Sequence, residues 1–115
     1  MRKHAPRAKR MAVLPRRLGA IRELLARDPV CGEIVTYLSR HTQAMDTAPG
    51  IAEWWIHREV PPTEEALLKL LQHGVVRSFV VGSARVYAYT KNPHLRQTLA
   101  ECLPSPNDGG DGHHR

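Results

Sequence analysis

Residues 63–90 read TEEALLKLLQHGVVRSFVVGSARVYAYT, and two different hydrophobic periods meet inside them. Ala66, Leu67, Leu70 and Leu71 recur at the spacing of one side of a helix. Gly74 ends that pattern, and a dense run of Val, Phe and Tyr comes after it: Val75 to Val81, a turn at Gly82 and Ser83, then Arg85 to Thr90. The stretch predicts a helix running straight into a two-stranded hairpin, with the other segments packed around that unit. Thr63 is expected to cap the helix. Glu64 and Glu65 then fall in its first turn, where the helix dipole favours negative charge.

Upstream, Leu14, Leu18, Ile21 and Leu25 recur at spacings of four and three, which predicts an amphipathic helix from about Pro15 to Arg27. Asp28 followed by Pro29 restarts a helix: the carboxylate can accept from first-turn amides, and proline gives up no needed donor there. Val30, Cys31, Ile34, Tyr37, Leu38 and His41 share one face of this second helix. Asp46 and Thr47 offer the next cap, before a third helix with Ala48, Ile51, Ala52 and Trp55 inside. Trp54 and Trp55 are both expected in the core, since each indole can bury about 200 Å². Consecutive prolines at 61 and 62 are expected to form the break between this helix and the next. After the hairpin, Asn92 and Pro93 repeat the cap-then-proline device ahead of Leu95, Leu99, Cys102 and Leu103, predicting a final helix.

The length fits one domain, and the 42% hydrophobic fraction is enough for a modest core. No run approaches the roughly 18 apolar residues of a spanning helix, and the start lacks the apolar core of a secretory signal, so a cytoplasmic protein with no membrane partner is expected. The net charge of +6 is unevenly placed. Arg2, Lys3, Arg7, Lys9, Arg10, Arg16 and Arg17 precede the first acid, whereas from Leu18 onward ten basic residues face eleven acids. The basicity thus belongs to an arm. Residues 1–15, with no period and two prolines, read as a disordered basic arm, residues 16–103 as the domain, and the Gly-, Pro- and Asp-rich residues 104–115 as a disordered tail. Cys31 and Cys102 stand apart, without zinc or disulfide spacing, and are read as small core residues.

The order helix, helix, helix, turn, helix, hairpin, helix resembles the winged helix-turn-helix domain of small bacterial regulators of the ArsR and MarR kind, with added N- and C-terminal helices. The resemblance covers residues 28–103. Its most specific part is residues 67–90, where a recognition helix ends at Gly, enters a strand through Val75, Val76 and Arg77, and returns through a Gly turn to a Tyr-rich strand. The run DTAPGIAEWW, residues 46–55, also resembles small stand-alone bacterial winged-helix proteins. The class is mainly α with a small β-hairpin.

The resemblance implies double-stranded DNA as partner, with the helix after Thr63 in the major groove and the hairpin touching a phosphate or the minor groove. Arg7, Lys9, Arg10, Arg16 and Arg17 on the arm would contact phosphates. Lys69 and Gln72 on the helix, and Arg77 and Arg85 on the hairpin, would position the domain. Glu65 and Lys69 are spaced for an ion pair on the same face. A homodimer through Leu18, Ile21, Leu25, Leu95 and Leu99 is also implied by the resemblance. The alternative is a protein-protein interaction module, because Glu64 and Glu65 would repel a phosphate backbone and winged helices also bind proteins. An enzyme is not expected, nor any catalytic residue, cofactor or metal. No phosphate loop, ligand cluster or nucleophile motif is visible, and His57 beside Glu59 and His73 near Glu65 lack a nucleophile at a telling spacing.

Overall fold

The computed structural model describes residues 15–103. The arm expected before Pro15 and the tail expected over 104–115 lie outside the described residues. Helix α1 (Pro15–Arg27) and helix α2 (Pro29–Arg40) are separated by Asp28, whose Oδ1 accepts from the Val30 and Cys31 amides at 3.1 and 3.2 Å. Strand β1 (Met45–Asp46) leads into helix α3, which is α-helical over Ala48–Gly50 and π-helical over Ile51–Ile56. Helix α4 (Val60–Gln72), strands β2 (Val76–Val81) and β3 (Ala84–Tyr89), and helix α5 (Pro93–Cys102) complete the chain. Asn92 caps α5 as Asp28 caps α2, its Oδ1 accepting from the His94 and Leu95 amides at 2.9 and 3.2 Å.

The molecule is mainly helical with a small antiparallel sheet in the order β1-β3-β2. The hairpin register runs from Val76 opposite Tyr89 to Val81 opposite Ala84. On its other side β3 pairs Ala88 with Met45 and Tyr87 with Asp46. Strand β1 was not expected, since two residues cannot display a period of two. One core lies between the helices and the sheet: Ile21 from α1, Cys31, Ile34, Val35 and Leu38 from α2, Ala66, Leu67 and Leu70 from α4, Val75, Val76 and Tyr89 at the sheet, and Leu95 and Leu99 from α5.

Four local expectations need correction. Helix α4 begins at Val60, so Pro61 and Pro62 sit inside its first turn instead of forming the break. First-turn amides have no intrahelical acceptor, so the prolines forfeit nothing there. Thr63 is not a cap: it is fully buried, and its hydroxyl donates to the Glu59 carbonyl at 2.8 Å. Trp55 does pack inward, stacked on Tyr37 with ring centroids 4.6 Å apart, but Trp54 points the other way and is 67% exposed. Cys31 is buried as expected, whereas Cys102 is half-buried and its sulfur accepts from Arg22 Nε at 3.4 Å.

The start of α3 explains part of the run at residues 46–55. Thr47 Oγ1 accepts from the Gly50 amide at 3.2 Å, and the Thr47 amide donates to Asp46 Oδ1 at 2.7 Å. The Asp46 carboxylate lies where a Cβ on residue 50 would stand, so glycine there permits close approach. The helix ends at His57 in a left-handed conformation with φ 56°.

Helix α4 joins the hairpin through Gly74, at φ 74°. Its amide donates to the Leu71 carbonyl at 3.0 Å and the next amide, Val75, to Leu70 at 2.9 Å, closing the helix end. Arg17 occupies the space beside the Gly74 Cα, its Nη2 and Nε donating to the His73 carbonyl at 2.9 and 3.3 Å. Gly74→Ala is therefore expected to destabilise by about 1–2 kcal/mol from backbone conformation alone and to displace Arg17. Denaturant unfolding measures it, and a change within about 0.5 kcal/mol would contradict this geometry of the junction.

Candidate nucleic-acid interface

The side of α4 turned from the core carries Pro61, Glu64, Glu65, Leu68, Lys69 and Gln72, all exposed. Ala66, Leu67 and Leu70 hold this orientation, because they are fully buried on the opposite side. Lys69 does not pair with Glu65 as its spacing suggested. Its Nζ lies 2.9 Å from Asp28 Oδ2, so a single carboxylate caps α2 with one oxygen and binds α4 with the other. Burial pushes the Asp28 carboxyl up, but the Lys69 hydrogen bond and the Cys31 amide outweigh it and hold the group below its ordinary value. The Lys69 ammonium is raised in return, chiefly by its hydrogen bond to Asp28.

The basic residues on the hairpin differ in freedom. Arg77 is half-buried, donates from Nε to the Tyr89 carbonyl at 3.0 Å, and lies over the Phe79 ring at 5.5 Å from its centroid. Arg85 is exposed, with Nη1 donating to Ser78 Oγ at 3.0 Å. The tip beside it is apolar: Val80 and Val81 are 59% and 56% exposed. Arg16 is exposed, Arg17 is held at the end of α4, and Arg7, Lys9 and Arg10 lie outside the described residues. Lys69, Gln72 and the Arg17 anchor thus share the C-terminal half of α4, while Arg77 and Arg85 occupy the two strands of the hairpin.

The terminal helices do not offer the dimer face expected of them. Ile21, Leu95 and Leu99 are fully buried in the chain's own core, and Leu18 and Leu25 are packed against it. These five side chains close one chain, because α1 and α5 pack across α2.

Two features were not anticipated from the sequence. Leu68, in the middle of the presented face of α4, is 55% exposed. On the other side of α2 a groove of about 530 Å³ is lined by Tyr37, Arg40, His41, Trp55, Ile56 and Leu103 among others. His41 stands at its rim, exposed, its ring 4.4 Å from that of Tyr37. Beside the groove, Arg58 clamps both oxygens of Glu33 at 2.6 and 2.7 Å, which holds that carboxyl below its ordinary value. Burial pushes the Cys31 thiol up to about 12, so it is an inert core group. Among the described residues no group of three or more His, Cys, Asp or Glu could hold a metal ion, and no helix is long and apolar enough to cross a membrane. No protein-family model, curated protein or solved structure matches the chain.

The double use of Asp28 gives a pH-dependent expectation. Asp28→Ala should cost about 1 kcal/mol through the lost cap, whereas Asp28→Asn keeps the cap and loses only the exposed pair. The folded carboxyl titrates below the unfolded value, so its contribution is complete above the unfolded pKa and is lost as pH falls through the folded one. Unfolding midpoints from about pH 5 to about pH 2 should therefore fall more steeply for the native chain than for Asp28→Asn. Parallel curves would show that Asp28 is not so engaged.

Proposed function

We propose that residues 15–103 form a winged helix-turn-helix domain of the kind found in ArsR- and MarR-like regulators, and that the chain is a cytoplasmic protein binding double-stranded DNA. The order α2, β1, α3, α4, β2, β3 supports the architecture, with β1 completing the sheet beside the hairpin. The observation that carries the DNA reading is Arg17. Its two hydrogen bonds to the His73 carbonyl hold the first turn of α1, which follows directly on the basic residues 1–14 in sequence, against the C-terminal end of α4, next to Gln72 and one turn from Lys69. The reading assigns to one duplex both the groove contacts of α4 and the phosphate contacts of the basic residues that precede α1.

In this reading α4 enters the major groove, where Gln72 can read an adenine edge, while Arg85 and the arm hold phosphates. The Lys69–Asp28 and Arg85–Ser78 bonds are solvent-exposed, and such contacts are weak enough to be exchanged for a phosphate. Arg77, committed to Tyr89 and Phe79, supports the strand that carries the tip. No step of chemistry is assigned to the chain.

A second reading, a winged-helix module that binds another protein, draws on one observation. Glu64, Glu65 and Leu68 occupy the exposed side of α4, where they suit a protein surface better than a polyanion.

Titration of duplex DNA at several salt concentrations separates the two. DNA binding should weaken steeply with salt, and deletion of residues 1–14, which carry five basic side chains, should reduce the log-log slope by up to about 4.5 at about 0.9 per phosphate contact. No binding by the full chain at low salt sinks the DNA reading. Replacing Glu64 and Glu65 together by Gln should tighten DNA binding, and unchanged affinity would place α4 outside the groove.

A further inference from the structure

Strand β2 is an outer strand of the sheet, and no other strand of the described residues lies along its free side. The register sets the direction of its backbone groups. Val81 and Ala84 close a two-residue turn, and the Thr90 amide donates to the Val75 carbonyl at 2.9 Å, so residues 75, 77, 79 and 81 are those that exchange bonds with β3. The N–H and C=O groups of residues 76, 78 and 80 therefore point to the open side. Val76 is buried, which leaves Ser78, half-buried, and Val80, exposed, as the accessible part of the edge.

This edge has none of the features that keep outer strands from pairing. Its sequence, VRSFVV, contains no proline, lysine or acid, and its one charge, Arg77, reaches to Tyr89 on the neighbouring strand, away from the open side. The opposite edge of the sheet is protected by brevity, because β1 has only two residues.

We propose that β2 pairs antiparallel with β2 of a second copy of this chain, about a two-fold axis at Phe79. That register sets Ser78 opposite Val80 in both directions, so the outward groups of one copy meet the outward groups of the other and four backbone hydrogen bonds form. Phe79 meets Phe79 across the axis as a non-hydrogen-bonded pair, whose side chains lie closest. Arg77 falls opposite Val81, so no two like charges face each other, and the exposed valines meet apolar side chains on the diagonals, Val80 with Val80 and Val81 with Phe79. A two-fold contact of this kind closes on itself and consumes both edges. The new bonds are made by backbone groups of Ser78 and Val80, so the pairing can be measured on the chain alone.

Sedimentation equilibrium of the full chain across micromolar to millimolar concentrations tests the proposal without DNA present. The native chain should form a dimer. Val80→Pro removes the outward amide without touching a bond to β3, and Val80→Lys places a charge on the edge; each should raise the dimer Kd by at least about tenfold while the far-ultraviolet circular dichroism stays native. If Val80→Pro misfolds, Val80→Lys still decides. A dimer that persists in Val80→Lys lies elsewhere and overturns the proposal. A native chain that is monomeric at every concentration overturns it as well, and leaves the edge to an extended segment of a different protein.

Discussion

Ala66, Leu67 and Leu70 project from one side of α4 into the space that α2 lines with Cys31, Ile34, Val35 and Leu38, and the direction this burial imposes on α4 sets the position of the hairpin beyond it. Each fully buried leucine contributes about 1.5–3 kcal/mol, so turning the helix by half a revolution would forfeit more than any of its surface contacts could return. Leu68, Lys69, Glu65 and Gln72 therefore face outward whatever their own chemistry. The same burial delivers Gly74 to the point where only a left-handed residue can redirect the chain into β2. It also brings Asp28, at the start of α2, within reach of Lys69.

The basic residues illustrate how much a fold removes from a formal charge. Arg58 is clamped on Glu33, Arg27 on Glu23, Lys69 on Asp28, Arg96 on the Thr90 carbonyl and the Tyr89 ring, and Arg17 on His73. These are exposed or half-exposed contacts of small individual worth. With Lys69 paired to Asp28, the outer side of α4 is acidic and apolar for most of its length, so in the DNA reading the attraction for a polyanion falls to the basic residues before Leu18. Arg17, in the first turn of α1, is itself held at the end of α4 through the His73 carbonyl.

Much of this was legible in the sequence, and the rest was not for identifiable reasons. Asp28-Pro29 and Asn92-Pro93 announced their helices because capping is a local matter of one oxygen and two amides. The core residues of α2, α4 and α5 were evident from periodicity, since burial repeats with the helix. Pro61 and Pro62 misled because proline is equally at home in a break and in a first turn. Trp54 misled because the hydrophobicity of one residue does not show that its neighbour, Trp55, takes the available place against Tyr37. Partners distant in sequence were out of reach: Glu65 is four residues from Lys69 and Asp28 is forty-one, yet the fold chooses Asp28. The burial of Ile21, Leu95 and Leu99 in one chain was likewise invisible, since an apolar stripe looks the same whether it faces its own core or another copy.

In the winged-helix reading, α4, the hairpin and the basic arm approach one duplex together. Amide chemical-shift mapping of the full chain against a short duplex tests this directly. The predicted changes cluster on Lys69, Gln72, Ser83, Arg85 and the residues before Arg17, with α2 and α5 unmoved. Changes confined to the arm, with α4 and the hairpin silent, would contradict it.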